Sequence, residues 1–306
     1  MLNKNGGNMN KFLTIFVVGL LLQANIFAQK EITPIMPANG AKNVNVGILK
    51  WSAQEGYLYD LYLGTSPNPS LYKSDLKTTE EKPVVFELNK TYYWKIVEKK
   101  DNKEVRTSKV FAFSTMPIQL NPNLKYNYFV DTRDYKIYCT LNINGKEWFV
   151  QNLDYDLQRM SWYYDNSETN KIFGRLYLGQ SLTTNSKDIC PEGWHIPSQK
   201  EWTDLINSFG GQKVAGKSLK ESSELYWRKS NYFRTNESGL TVLPAGSRDS
   251  KPEYSNMGKY TFFWTSTPDI KTQNSFYKID IGFMRDNIII STGEPNWSYS
   301  IRCVKD

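Results

Sequence analysis

The sequence has a single histidine, His195, and three cysteines in 306 residues, and this scarcity closes off most familiar side-chain catalysis. One imidazole cannot build a multi-histidine zinc site, and no H-E-x-x-H, C-x-x-C or G-x-S-x-G pattern occurs. Long apolar runs are also missing. The stretch from Phe12 to Leu22 is too short to cross a bilayer, which takes about 20 residues, and no later segment is apolar for long enough. No run of five like charges interrupts the interleaved lysines and acids, so the basic excess reads as a mixed, solvated surface and no nucleic-acid partner is expected. Internal repeats and low-complexity tracts are absent after the first residues.

Aromatic residues are what the chain has in abundance: 14% of the residues, with nine tryptophans. Most of these rings are expected in cores, which large rigid side chains dominate, with a minority left for a binding surface. At the start, Met9-Asn10-Lys11 precedes the apolar run and the small residue Ala28, the layout of a secretory signal peptide over residues 1–28. Its removal takes away Lys4 and Lys11, leaving 36 basic against 31 acidic side chains, or +5, on a chain that begins at Gln29. The expected location is secreted, cell-surface or periplasmic, with no membrane span after processing. In such a compartment three cysteines allow one disulfide and leave one thiol.

Residues 30–115 read as an all-β sandwich. Val44, Val46 and Ile48 alternate before Trp51; Tyr59, Leu61 and Leu63 alternate before a Gly- and Pro-bearing turn; Tyr92, Trp94 and Ile96 alternate later. Leu88-Asn89-Lys90-Thr91-Tyr92-Tyr93-Trp94 resembles the corner before a late strand in fibronectin type III (Ig-like) domains, and Val110 to Thr115 resembles their last strand. Residues 116–123, with Pro117 and Pro122, read as a linker.

The most distinctive segment is Cys190-Pro191-Glu192-Gly193-Trp194-His195-Ile196-Pro197-Ser198-Gln199-Lys200-Glu201-Trp202. Ser198 and Glu201 have capping-box spacing, which predicts a helix start. Trp202, Leu205, Ile206 and Phe209 then give one apolar face, and Gly210-Gly211 a left-handed stop. This run resembles the C-P-x-G-W-H-x-P-[ST]-x-x-E-W signature of the Fibrobacter succinogenes major paralogous domain (FISUMP) family, secreted bacterial modules. The resemblance extends over residues 124–306. It includes Asp131 to Tyr138, Ile143 to Trp148, Gln151-Asn152-Leu153, Gly174-Arg175-Leu176-Tyr177, Ser238-Gly239-Leu240, Leu243 to Gly246, Phe263 to Thr267 and Ser300 to Lys305. Tyr135 stands where the family usually has glycine, and Cys139 is extra. The resemblance implies an α+β, C-type-lectin-like fold with long irregular loops. It also implies that Cys190 and Cys303, both in family motifs, form the disulfide; Cys139, in an alternating stretch, is then a buried strand thiol.

Several motifs suggest chemistry that their context opposes. Gly211 to Ser218 spells G-x-x-x-x-G-K-S, but a phosphate loop follows a buried strand, whereas here an amphipathic helix precedes it; no nucleotide is expected. Glu294-Pro295-Asn296 resembles the calcium triplet of sugar-binding C-type lectins. The later W-N-D ligands of those lectins have no counterpart, so Glu294 and Asn296 are weak metal candidates and neither metal nor cofactor is expected. Asp154 and Asp156 are weaker cation candidates still, and His195 is expected to orient a turn. No catalytic residue is assigned. Ser161-Trp162-Tyr163-Tyr164-Asp165 sets three aromatics in succession, and alternation cannot bury all of them. Trp162, Tyr163, Tyr164 and Asp165 are therefore the candidate ligand-binding residues, a ring face for stacking on sugar with Asp165 or Asn166 fixing hydroxyls.

The expected function is a secreted or cell-surface, non-catalytic binding or adhesion protein whose partner is a glycan or a surface protein. The alternatives are an extracellular carbohydrate-active enzyme using loop carboxylates, and a structural component of a surface assembly. A closed aromatic pocket holding two carboxylates favours the enzyme, an open aromatic shelf the binder, and an exposed sheet edge the assembly component. N-terminal analysis of the extracytoplasmic protein is expected to find Gln29 or a near neighbour; recovery of the intact start there contradicts the signal-peptide reading.

Overall fold

The computed structural model describes residues 31–306 apart from residues 53, 55 and 185, so the signal peptide expected over residues 1–28 lies outside the described residues. Two sheets enclose the N-terminal core. Pro34–Met36, Leu49–Trp51 and Glu80–Glu81 form a small antiparallel one. The larger sheet runs Ala41–Val44, Phe111–Thr115, Thr91–Lys100, Leu58–Gly64, Ser70–Leu76, with Lys103–Thr107 also paired to Thr91–Lys100. Strand periodicity sends Tyr59, Leu61, Leu63, Trp94 and Ile96 to one face, where they meet Leu49 and Trp51 of the small sheet.

The alternation at Val44, Val46 and Ile48 does not continue as one strand. After Val44 the chain leaves the large sheet, and residues 45–47 pair with residues 135–137 instead. Ile137 N donates to Asn45 O (2.7 Å), Gly47 N donates to Tyr135 O (2.7 Å), and Val46 bridges Lys136. Ile137 consequently belongs to the sandwich core. In return Leu88, Met116 and Ile118 join the core of the C-terminal half, so residues 32–306 form one compact unit. Within the segment expected as a linker, Met116 and Ile118 are only 3% and 1% exposed. Flanking Pro117 with two large apolar side chains makes burial favourable over a free tether.

The C-terminal half contains three sheets, a ten-residue helix and the shorter helical segments Gln180–Thr184, Ser186–Ile189 and Gly216–Leu219. One sheet runs Asn127–Val130, Ile137–Ile143, Lys146–Phe149, Val304–Lys305, Trp194–His195; a second runs Ser161–Trp162, Leu176–Leu178, Ser298–Tyr299, Ser247–Arg248, Tyr254–Ser255; the third is Tyr260–Pro268, Phe276–Gly282, Ile289–Gly293. The helix Gln199–Ser208 begins at Ser198 with both capping-box bonds formed. It ends in a Schellman arrangement, Gly211 N donating to Ile206 O and Gly210 N to Asn207 O. Trp202, Leu205 and Ile206 are buried, Trp202 against Trp148 and Phe263. Tyr135 keeps the left-handed backbone of the usual glycine, at φ 59°, and the Lys82 ammonium lies 4.8 Å above its ring.

Cys190 and Cys303 are bonded across a sequence separation of 113, and Cys139 is free and buried. Burial pushes the Cys139 thiol well above its ordinary pKa, leaving little thiolate to react. Replacing Cys190 and Cys303 together by serine is expected to cost about 2–5 kcal/mol in denaturant titration, the usual loss for a long closed loop. In the folded protein Cys139 is expected to resist alkylation. A silent double substitution, or rapid native labelling of Cys139, contradicts this assignment.

Candidate functional site

The second C-terminal sheet carries the candidate site. Arg248 lies opposite both Ser298 and Tyr254, Ser298 lies opposite Leu178, and Trp162 lies opposite Leu176. Because side chains alternate between faces, Trp162, Arg248 and Tyr254 share one face of the sheet. The opposite face carries Tyr177 and Tyr299, which are buried. Ser298, small and buried, leaves room for long neighbours to reach over it. The Arg248 guanidinium accordingly sits 4.0 Å above the Trp162 ring and 5.8 Å from that of Tyr254.

Tyr164 extends this row. Its ring meets Tyr254 at 5.2 Å, and the Tyr254 hydroxyl donates to Asn166 Oδ1 at 2.7 Å. Gly246, at φ 72°, makes the approach possible, since a β-carbon there would stand 2.8 Å from the Tyr164 ring and 2.5 Å from Ser255 O. Trp162, Tyr164, Arg248 and Tyr254 are all half-buried, with Asp165 and Asn166 exposed at one end, both in left-handed backbone. Burial raises the pKa of both Tyr164 and Tyr254, partly offset at Tyr254 by the Arg248 charge, so both phenols stay neutral donors.

Of the four sequence candidates, then, Trp162, Tyr164 and Asp165 lie along one surface. Tyr163 turns elsewhere. The Arg175 guanidinium covers its ring at 4.2 Å, and burial together with the Asp154 carboxylate raises its hydroxyl pKa. Arg248 and Tyr254 were missed by sequence reasoning, because a two-residue strand offers no periodicity to read.

The remaining motifs are occupied structurally. Asp154 is 2% exposed and held by Lys136 and Asn45, each at 3.2 Å from Oδ2, while Asp156 pairs with Arg175 at 3.1 Å. Asn296 Oδ1 accepts from Gln180 Nε2 (2.8 Å) and Pro295 O from Gln180 N (2.9 Å), making Glu294-Pro295-Asn296 a turn clasping the start of the short helix Gln180–Thr184. In the G-x-x-x-x-G-K-S segment, Gly216 N donates to Asp286 O and Ser218 Oγ to Glu237, so these donors are already engaged within the chain. Among the described residues no group of three or more His, Cys, Asp and Glu side chains is arranged to hold a metal.

A groove of about 510 Å³ runs beside the Pro191–Ile196 loop, lined in part by Leu182, Lys187, His195 and Phe276. His195 Nδ1 contacts Asp306 Oδ1 at 2.6 Å and Nε2 contacts Glu201 at 3.1 Å, so both ring nitrogens are engaged by carboxylates. Burial alone would raise the Glu201 pKa. Hydrogen bonds from Lys146, the Ser198 backbone and hydroxyl, and His195 outweigh that and hold it at about 2.

Residues 120–305, more than half of the chain, match the profile of the family described as Fibrobacter succinogenes major domain. No curated protein matches the chain significantly.

The depressed Glu201 carboxyl makes a signed prediction. A group with a lowered folded pKa adds stability above its unfolded value, near 4.5, and loses it as pH falls towards about 2. Glu201→Gln is therefore expected to destabilise the protein at pH 6 and to narrow its difference from the parent between about pH 4.5 and 2 in thermal melts. A difference independent of pH contradicts the assigned network.

Proposed function

The chain belongs to the Fibrobacter succinogenes major domain family, and from that premise we propose that it is an extracytoplasmic, non-catalytic binding protein whose shelf receives a glycan. The observation that carries this reading is the row Trp162, Arg248, Tyr254 and Tyr164 on an open sheet face. The other tryptophans of the C-terminal half are buried, except Trp297, which is half-buried. Half-exposed rings beside carboxamide and carboxylate groups match the flat apolar faces and peripheral hydroxyls of a sugar. The disulfide favours an oxidising compartment.

The finer fold reading belongs to the same proposal. The N-terminal sheets pair in an order compatible with a fibronectin type III-like sandwich, and Tyr92 Oη accepts from Glu87 N at 3.0 Å, as in the tyrosine corner of such domains. The C-terminal half is proposed to be C-type-lectin-like, supported by its short helix, its long loops and a disulfide joining the helix-entry turn to the last strand.

A second reading, docking to a surface protein or assembly, draws on the 222–236 loop, where Leu225 is 69% and Phe233 84% exposed. Glycan-array and titration experiments on residues 29–306 separate the two. Trp162→Ala is expected to weaken glycan binding by about 1–3 kcal/mol, the scale for an anchor aromatic, and chelators to leave it unchanged. Turnover of the glycan, or binding indifferent to Trp162 and Tyr164, overturns the proposal.

A further inference from the structure

Arg248 differs from several other arginines of the C-terminal half. Arg133 pairs with Asp131 at 2.7 Å, Arg175 with Asp156 at 3.1 Å and Arg285 with Asp280 at 2.5 Å. No carboxylate stands within 4.0 Å of the Arg248 guanidinium among the described residues, and its Nε is buried without a hydrogen-bond partner. The adjacent Asp249 does not supply one, because its Oδ1 accepts from Lys251 N (2.8 Å) and Glu253 N (3.0 Å) and so closes the hairpin turn. What holds Arg248 in place is stacking on Trp162 and strand register with Ser298 and Tyr254. The guanidinium is thus oriented beforehand, its charge uncompensated by a carboxylate, and with Nε buried its terminal nitrogens are what it offers a planar anion.

We propose that the ligand of this shelf is an acidic sugar, a uronic-acid unit whose carboxylate pairs with Arg248 while its ring stacks on the row of aromatic side chains. The inference rests on the glycan-binding reading and deepens it. The charges along the shelf fix the direction of the ligand. Asp165 is exposed beside Tyr164 at one end and repels a carboxylate there, whereas Arg248 over Trp162 attracts it at the other. Sugar hydroxyls therefore face Asp165 and Asn166, and the acid group faces Arg248. A neutral sugar would leave the stacked cation without its counter-charge, and a guanidinium–carboxylate pair adds both attraction and planarity to recognition. The positive excess of the mature chain acts in the same sense at longer range.

Binding of residues 29–306 to oligogalacturonate is compared with binding to the same oligomer after its carboxylates have been reduced to alcohols. The carboxylated form is expected to bind about tenfold or more tightly, with affinity falling as salt rises. Arg248→Gln is expected to remove that preference by weakening the carboxylated oligomer by the larger factor, and Trp162→Ala to weaken both. The comparison on the unaltered protein holds even if Arg248→Gln fails to fold. Equal, Trp162-dependent binding of both oligomers overturns the acidic-sugar inference and leaves the glycan reading standing. Binding of neither overturns this inference for the oligomer tested, and failure across a panel of neutral and acidic glycans overturns the glycan reading with it.

Discussion

The Arg302 guanidinium is 1% exposed, and among the described residues no carboxylate pairs with it. Burial disfavours its charge, pushing the pKa down to about 9, yet at neutral pH it remains a cation. Its donors go to Asn152 Oδ1 at 2.9 Å, to Leu240 O and to Thr241 O at 3.2 Å, with the Phe263 ring 5.4 Å away. A buried ion kept by neutral dipoles is tolerable only if every dipole is held in position, so three separate segments have to converge on one side chain. The neighbouring residues bind the rest. Ser300 lies between Phe262 O and Trp264 N, Ile301 O accepts from Leu153, Cys303 O from Phe149, and Val304 separates the strands of Trp148 and His195.

The shelf depends on that convergence. Tyr299 and Ser298, immediately before this segment, form the middle strand of the sheet that displays Trp162, Arg248 and Tyr254. Tyr299 packs beneath it against Trp264, whose indole nitrogen donates to Tyr177 O at 2.8 Å. The surface is therefore a rigid strand face backed by buried aromatics. Preorganisation of this kind limits the entropy lost when a ligand is held. The sandwich adds to the rigidity from the other side, since Asn45 reaches Asp154 and residues 45–47 continue the pairing around Tyr135.

Local signals were legible in the sequence. Ser198, Glu201 and the following apolar spacing defined the helix within a residue, because capping and amphipathicity act over one or two turns. The Cys190–Cys303 bond followed from the family resemblance, with Cys139 left buried. Long-range choices were not legible. Val44, Val46 and Ile48 alternate as a strand would, but hydrogen bonds to residues 135–137 claim the middle of that run. Nothing in Tyr163 distinguishes it from its neighbours until Arg175 and Asp154 draw it inward. Arg248 lies two intervening strands from Trp162 and Tyr254 three, a relation that has no trace in local periodicity.

Chain order gives the position of residues 300–305 a temporal meaning. Every layer they join precedes them in sequence, so the C-terminal half gains the Arg302 cation, the Val304–Lys305 strand and the Cys190–Cys303 bond only once these six residues dock. Until then Asn152 Oδ1 and the Leu240 and Thr241 carbonyls lack the donor they meet in the folded protein. Contacts this distant in sequence favour slow, late closure over stepwise folding from the ribosome. Residues 300–305 thus act as a clasp, whose docking joins segments that are far apart in sequence.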